Sequence, residues 1–363
     1  MADPIIVSGL VSGTDKTLTF ETGKLAPQSM GAVVASIGGT KVLTTANAAK
    51  SVREGMDFFP LTVDVEERAY AAGKIPGSFF RREGRPSDDA ILTCRLTDRP
   101  LRPSFPNGFR NETQIVTTVL GADQHNQHDV LSINAASAAL MISGIPFDGP
   151  IGAVRMAYSV DGEWIAHPTY EEADAGTFEL VVAGRELDNG DVAVMMVEAG
   201  GSENAFYYYD DGAKKVTEEV LADGLDACKV WIKESIALQR QLVASVIATD
   251  GPITPMKWTP VLDYTPEIFA AVEKAGTYLN WEGRARPFER VLDKTGLMTD
   301  GRVLHTIAEE LDRPIHLPDV QTTRYEIARV GATPQQAGHD TAAHDAAGQD
   351  AAGQDAAGQD AAG

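Results

Sequence analysis

A chain of 363 residues, 43% of them apolar, is long enough for two domains and a sizeable core. Its 31 basic and 52 acidic residues leave a formal charge of −21, which taken alone argues against nucleic acid, because phosphate backbones are held mainly by Lys and Arg. There is no run of about eighteen apolar residues, and Met1-Ala2-Asp3-Pro4 has neither a basic flank nor an apolar core, so no membrane span is expected and the cytosol is the expected compartment.

From Lys16 to about Glu66 the residues alternate as strands: Leu18 and Phe20 on one face, then Ala32-Val33-Val34, a Gly38-Gly39 turn, and Val42-Leu43. Phe58 to Val65 reads as a further strand, and Gly73 to Arg85 as a long loop. A helix is expected from Pro86-Ser87-Asp88-Asp89, capped by Ser87, to about Asp98, before Pro100. Thr113 to Leu120 follows as a strand, Asp129 to Ile142 as an Ala-rich helix that Asp129 suits as N-cap, and Ile151 to Val160 as a strand with an Asp161-Gly162 turn. Phe178 to Ala183 and Val192 to Glu198 are strands, and Tyr207-Tyr208-Tyr209 is expected as a strand or packed turn. Beyond Val216 the period becomes helical through Leu221, Leu225, Ile232, Ile236 and Leu242. The pattern is an α+β domain followed by helices, and the Ala-Ala-Gly-Gln-Asp repeats that end the chain have nothing apolar to pack, so disorder is expected there. Cys94 and Cys228 are too far apart in sequence to suggest a disulfide framework or zinc spacing and are expected as packed free thiols.

The charge is unevenly spread. Arg81, Arg82, Arg85, Arg95, Arg99, Arg102 and Arg110 outnumber the acidic residues between them. Phe79 and Phe80 stand next to Arg81 and Arg82 on a glycine-bounded loop, a pairing suited to single-stranded nucleic acid, since bases stack on rings while guanidinium groups hold phosphates. Arg95, Arg99 and Arg102, at i, i+4 and i+7, fall on one face of a helix, with Pro100 disturbing its last turn. The competing reading packs both phenylalanines in a core and pairs the arginines with Glu83, Asp88, Asp89 and Asp98.

The stretch from Gly73 to Pro86, with Arg95-Leu96-Thr97-Asp98-Arg99-Pro100-Leu101-Arg102-Pro103, closely resembles the first ribonuclease PH-like copy of bacterial polynucleotide phosphorylases, the actinobacterial form in particular. The likeness extends to Phe58 through Arg68, Ile133 through Ala138, Gly149-Pro150-Ile151-Gly152, Val182-Ala183-Gly184-Arg185 and Met195 through Ala199, in order over roughly the first 245 residues. It implies a ribonuclease PH-like (ribosomal protein S5 domain 2-like) domain over 1–213, the start of a helical linker over 214–276, a segment of other origin over 277–330 and a low-complexity tail over 331–363. In that family three subunits form a ring whose channel is threaded by single-stranded RNA. The resemblance places Phe79, Phe80, Arg81 and Arg82 on the loop that narrows the channel, and gives Arg95, Arg99 and Arg102 contacts to RNA or phosphate.

The family degrades RNA 3'→5' by phosphorolysis, using inorganic phosphate and a magnesium ion held by acids of its second copy. Aligned on Val182-Ala183-Gly184, the two metal-binding acids and the lysine of that second copy fall on Ala173, Glu179 and Val181, so the expectation is a non-catalytic copy with no metal site of its own. The second copy and the KH and S1 domains are expected to be missing. Residues 278–330, beginning Leu279-Asn280-Trp281-Glu282-Gly283-Arg284, resemble the C-terminal part of the large iron–sulfur subunit of NADH-quinone oxidoreductases, though without cysteine ligands. The leading expectation is an RNA-binding fragment that is inactive alone, as a homotrimer or in a mixed assembly. Activity in complex with intact subunits and a non-functional gene remnant are the alternatives. Asp123, His125, His128 and Asp129 are expected as a polar loop before a helix rather than a metal site.

Overall fold

The computed structural model describes residues 3–261, apart from Glu54, Asp57 and Ser78, and also residues 278–279, 285–286 and 328–329. The chain divides into two units, Met1–Val261 and Leu262–Gly363.

The first unit is built on two sheets. β1 (Ile5–Leu10), β2 (Thr17–Thr22), β3 (Gly31–Ile37), β4 (Thr40–Ala48), β5 (Leu61–Glu66) and β6 (Thr113–Gly121) form the larger, in the order β1-β2-β3-β4-β6-β5. Every pairing in it is antiparallel except β5 with β6. That parallel pair needs a crossover, and the chain supplies it with the loop after Glu66 and helix α1 (Asp88–Leu101). The second sheet, β10-β9-β7-β8, is antiparallel throughout and comprises β7 (Ile151–Tyr158), β8 (Trp164–Ala166), β9 (Phe178–Glu186) and β10 (Val192–Gly201).

Helix α2 (Asp129–Ser143) lies against β3, β4 and β7. Buried on nearly every side, it has no polar face, which is why its sequence is Ala-rich rather than amphipathic. Small residues bring the layers together: a Cβ on Gly31 would stand 2.1 Å from the Ala139 carbonyl oxygen, so β3 and α2 meet backbone to backbone only because that position is glycine. Gly152 does the same for β7 beneath Ile232 of α5 (Glu218–Asp250). Helix α5 buries Cys228, Ile232, Ile236 and Leu242 against β7, β9 and β1, each of the larger side chains contributing about 1.5–3 kcal/mol. A buried polar chain fixes its position. Asn134 exchanges two hydrogen bonds with the Ala153 backbone and accepts a third from Ser235 Oγ, and Gln239 Nε2 donates to the Ile151 carbonyl. The helical region expected from 214 onward is thus carried, in its described part, by a helix that shares the first domain's core.

Several local expectations change. Helix α1 does not stop before Pro100 but continues through it to Leu101, because proline in a last turn costs only the one bond its missing N–H would have given to Leu96. Ser87 is its N-cap, accepting from the Ala90 N–H at 2.9 Å. Asp129 is not the cap of α2: His128 holds that position without a side-chain bond, while the Asp129 carboxylate turns to Arg155. Tyr207-Tyr208-Tyr209 forms neither strand nor turn but part of a short helix, α4 (Ala205–Asp210), after α3 (Tyr170–Asp174). Phe79 and Phe80 are not core residues, being 95% and 76% exposed.

In the second unit Tyr278–Leu279 (β11) pairs antiparallel with both Ala285–Arg286 (β12) and Ala328–Arg329 (β13). The rest of the expected foreign segment and the repeat tail lie outside the described residues.

Candidate nucleic-acid interface

Among its described residues the loop from Gly73 to Arg85 carries no regular structure, and its ends are tied down from outside. Glu83 Oε1 accepts from the Ala69 N–H at 2.9 Å, and Ser87 Oγ donates to Glu67 at 2.5 Å. Between these ties the Phe79 and Phe80 rings stand edge to face, centroids 5.3 Å apart. Arg81 is left-handed (φ 49°), an uncommon conformation for a side-chain-bearing residue. Arg81, Arg82 and Arg85 are exposed, and none has a partner among the described residues.

Helix α1 then presents its arginines to a groove of about 1250 Å³ bounded by α1, β5, the start of α2 and the end of β10. The three differ in what they have left to offer. Arg95 is exposed and unpartnered among the described residues. Arg99 spans the groove to Glu198 on β10 at 2.6 Å, both side chains well exposed. Arg102 is committed: it grips Asp98 through two bonds of 3.0 and 2.7 Å, donates to the carbonyls of Phe59 and Leu61, and lies 5.7 Å from the Phe59 ring centre. Of the ion pairs in the competing reading, this Arg102–Asp98 pair forms.

The groove floor is a charged group that sequence reasoning overlooked. Arg155, in mid-β7, bonds Glu179 of β9 at 2.5 Å and also Asp129 at the start of α2. Burial opposes its charge, but the two carboxylates outweigh that and raise its pKa above the ordinary value. Tyr170, beside it, is pushed up by burial and by Asp129 and Glu67. His128 Nε2 lies 2.9 Å from Glu67. The signal was present: Arg155 is the only charged residue within the apolar run Ile151–Tyr158, and a charge there needs a partner.

The positions aligned with metal-binding groups do not fit a divalent cation. Ala173 and Val181 are buried and apolar and offer no ligand, and Glu179 and Asp129 are both bonded to the Arg155 guanidinium. Asp123, in the polar loop before α2, accepts from the Gly39, His125 and Asn126 N–H groups, the Thr40 hydroxyl and the Asn126 amide. Burial raises its pKa, but these bonds prevail and hold the carboxyl well below its usual range. It pins the turn between β3 and β4 to the loop after β6.

Residues 15–146 match domain 1 of the 3' exoribonuclease family, RNase PH. This is a ribonuclease PH-like domain. The chain carrying it is 54% identical over 257 residues to a polyribonucleotide nucleotidyltransferase of Acidothermus cellulolyticus, covering 71% of this chain and 32% of the relative. It is 55% identical over 258 residues to that of Salinispora arenicola (71% and 32%) and 50% identical over 277 residues to that of Streptomyces griseus (76% and 36%). The chain is therefore homologous to actinobacterial polyribonucleotide nucleotidyltransferases over its first part and spans about a third of their length. An Archaeoglobus fulgidus exosome structure with RNA bound to its active site aligns at a TM-score of 0.43 and 16% identity, covering 66% of this chain and 87% of that one. Rice Rrp46 aligns at 0.43 and 15%, covering 65% and 94%. Among the described residues no helix is long and apolar enough to cross a membrane.

Proposed function

We propose that the ribonuclease PH-like domain binds single-stranded RNA along the α1 groove and the Phe79–Arg82 loop, and that it contributes binding rather than chemistry. The observation that carries this is the contrast between two sets of charges. Arg81, Arg82 and Arg95 face solvent without partners among the described residues, and the first two follow two exposed rings in the chain. By contrast Asp129, which lines the groove, and Glu179 behind it are both bonded to Arg155. Free arginines and aromatics hold a phosphate backbone and stack bases. Phosphorolysis needs a cation at the transferring phosphoryl group, and of the three aligned positions only Glu179 carries a charged side chain, itself bonded to Arg155, while Ala173 and Val181 offer no ligand.

In this reading the partner is RNA of the kind that polyribonucleotide nucleotidyltransferases process 3'→5', the setting is the cytoplasm, and the chain works as a homotrimer or beside intact subunits that supply magnesium and phosphate chemistry. The test is incubation of the purified chain with poly(A), phosphate and magnesium, alongside RNA binding at several salt concentrations. Salt-sensitive binding without ADP release is expected, weakened by Arg81→Ala with Arg82→Ala in protein that melts normally. ADP release by the chain alone refutes the binding-only reading, and absence of RNA binding by folded protein refutes the interface.

A further inference from the structure

Helix α4 turns two large rings to water at the end of β10. Phe206 and Tyr207 are 68% and 66% exposed, edge to face with centroids 5.8 Å apart. A single exposed apolar side chain needs no account, but an adjacent pair held in place does. The holding is specific: Ala205 is buried beneath, the Tyr208 hydroxyl donates to the Asp174 carbonyl at 3.2 Å, and the Ala213 N–H closes the helix end on the Tyr208 carbonyl at 2.9 Å. The rings stand on a fixed platform.

The charge around that platform is predominantly negative. Glu203, Asp210 and Asp211 are exposed, and none is in an ion pair among the described residues. The cations that follow do not cancel them: Lys214 lies along Gly162 in the turn between β7 and β8, which leaves Lys215 against the three carboxylates. RNA is disfavoured here, since its phosphates would meet those acids, whereas Phe79 and Phe80 are followed by arginines.

We propose that the Phe206–Tyr207 platform is a docking site for an arginine-rich segment of a protein partner. Guanidinium groups stack on aromatic faces and pair with carboxylates, and this surface offers both within one short helix and its flanks. The site is independent of the RNA-binding reading.

The test uses the full chain and a fluorescein-labelled peptide of alternating Arg and Gly, followed by fluorescence anisotropy at low salt. Saturable binding that weakens with added salt is expected. It should fall about tenfold in the Phe206→Ala, Tyr207→Ala double variant, the size of two lost cation–π contacts. Glu203→Gln with Asp210→Asn and Asp211→Asn should also weaken it, while oligo(A) binding stays unchanged in both variants. A Phe206→Leu, Tyr207→Leu variant keeps apolar surface and removes the π faces, so weakened binding with an unchanged Tm separates lost stacking from lost folding. Failure of the parent chain to bind the peptide, or equal binding by the alanine variant, overturns the proposal. Loss of oligo(A) binding in the alanine variant also overturns it, by making the platform an RNA contact.

Discussion

Replacing Glu198 by Gln should tighten RNA binding. Glu198 holds Arg99 across the mouth of the groove at 2.6 Å, and the two side chains are 61% and 59% exposed. An ion pair in that position stabilises by only about 0.2–1 kcal/mol, so its loss hardly touches folding. The same pair must be broken before Arg99 can meet a phosphate, and that cost is subtracted from binding. Removing the carboxylate should therefore raise affinity by roughly 1.4- to 5-fold at low salt, the energy above converted through RT. If Arg99 then takes up one more phosphate, the slope of log K against log salt should steepen by about 0.7, the value for a single strand. Fluorescence anisotropy with labelled oligo(A) over a salt series reads both quantities, and thermal melting checks that the fold is intact. The decisive control is Arg99→Gln. A gain from Glu198→Gln that is equally large in the Arg99→Gln background would come from general charge and not from a released arginine, and the reasoning would be wrong.

Arg155→Met should destabilise the chain by about 3 kcal/mol in urea unfolding, because it leaves Asp129 and Glu179 as uncompensated, largely buried carboxylates. Adding Asp129→Asn and Glu179→Gln should recover most of that loss, and a triple variant no more stable than the single would rule out charge as the cause. Phe79→Ala with Phe80→Ala should weaken oligo(A) binding by about 1–3 kcal/mol per base that stacks and leave Tm unchanged, since neither ring packs in the core. His167 has its pKa lowered to about 4 by burial and by Lys16. The unfolded imidazole binds protons more readily than the folded one, so stability is full above about pH 6.5 and falls as pH drops toward 4, by at most about 3 kcal/mol. His167→Asn, a residue that accepts the left-handed backbone found there (φ 46°), should flatten that part of the stability–pH curve; an unchanged curve would assign the acid lability elsewhere.

The strands were legible where one sheet face is covered. β3 alternates buried and half-buried residues along its whole length, and period two is all a sequence needs to display that. The Ser87 cap and the polar-to-apolar switch at Asp129 were legible because both are local. What was hidden depended on distant partners. The parallel pairing of β5 with β6 joins residues some fifty positions apart. α4 is helical in a tyrosine run whose propensity favours strand, because Ala205 and Tyr208 are anchored by the loop at Ser202 and by Asp174. The floor of the groove was hidden for the same reason, since Asp129, Arg155 and Glu179 come from three elements.

Net charge misleads here through distance. The figure of −21 counts residues over the whole chain, yet at physiological salt a charge is felt over only about 8 Å. Within that range a bound strand beside α1 meets Arg95 and Arg99, while Asp129 and Glu179 are both bonded to Arg155, which offsets one of their two charges. Arg155 therefore does more than hold α2 to the second sheet. By offsetting one of the two carboxylate charges it lowers the repulsion that a phosphate backbone beside α1 would meet. Acids left exposed elsewhere, as at Glu203, Asp210 and Asp211, lie beside a different kind of surface, the one proposed above to take a partner of the opposite charge.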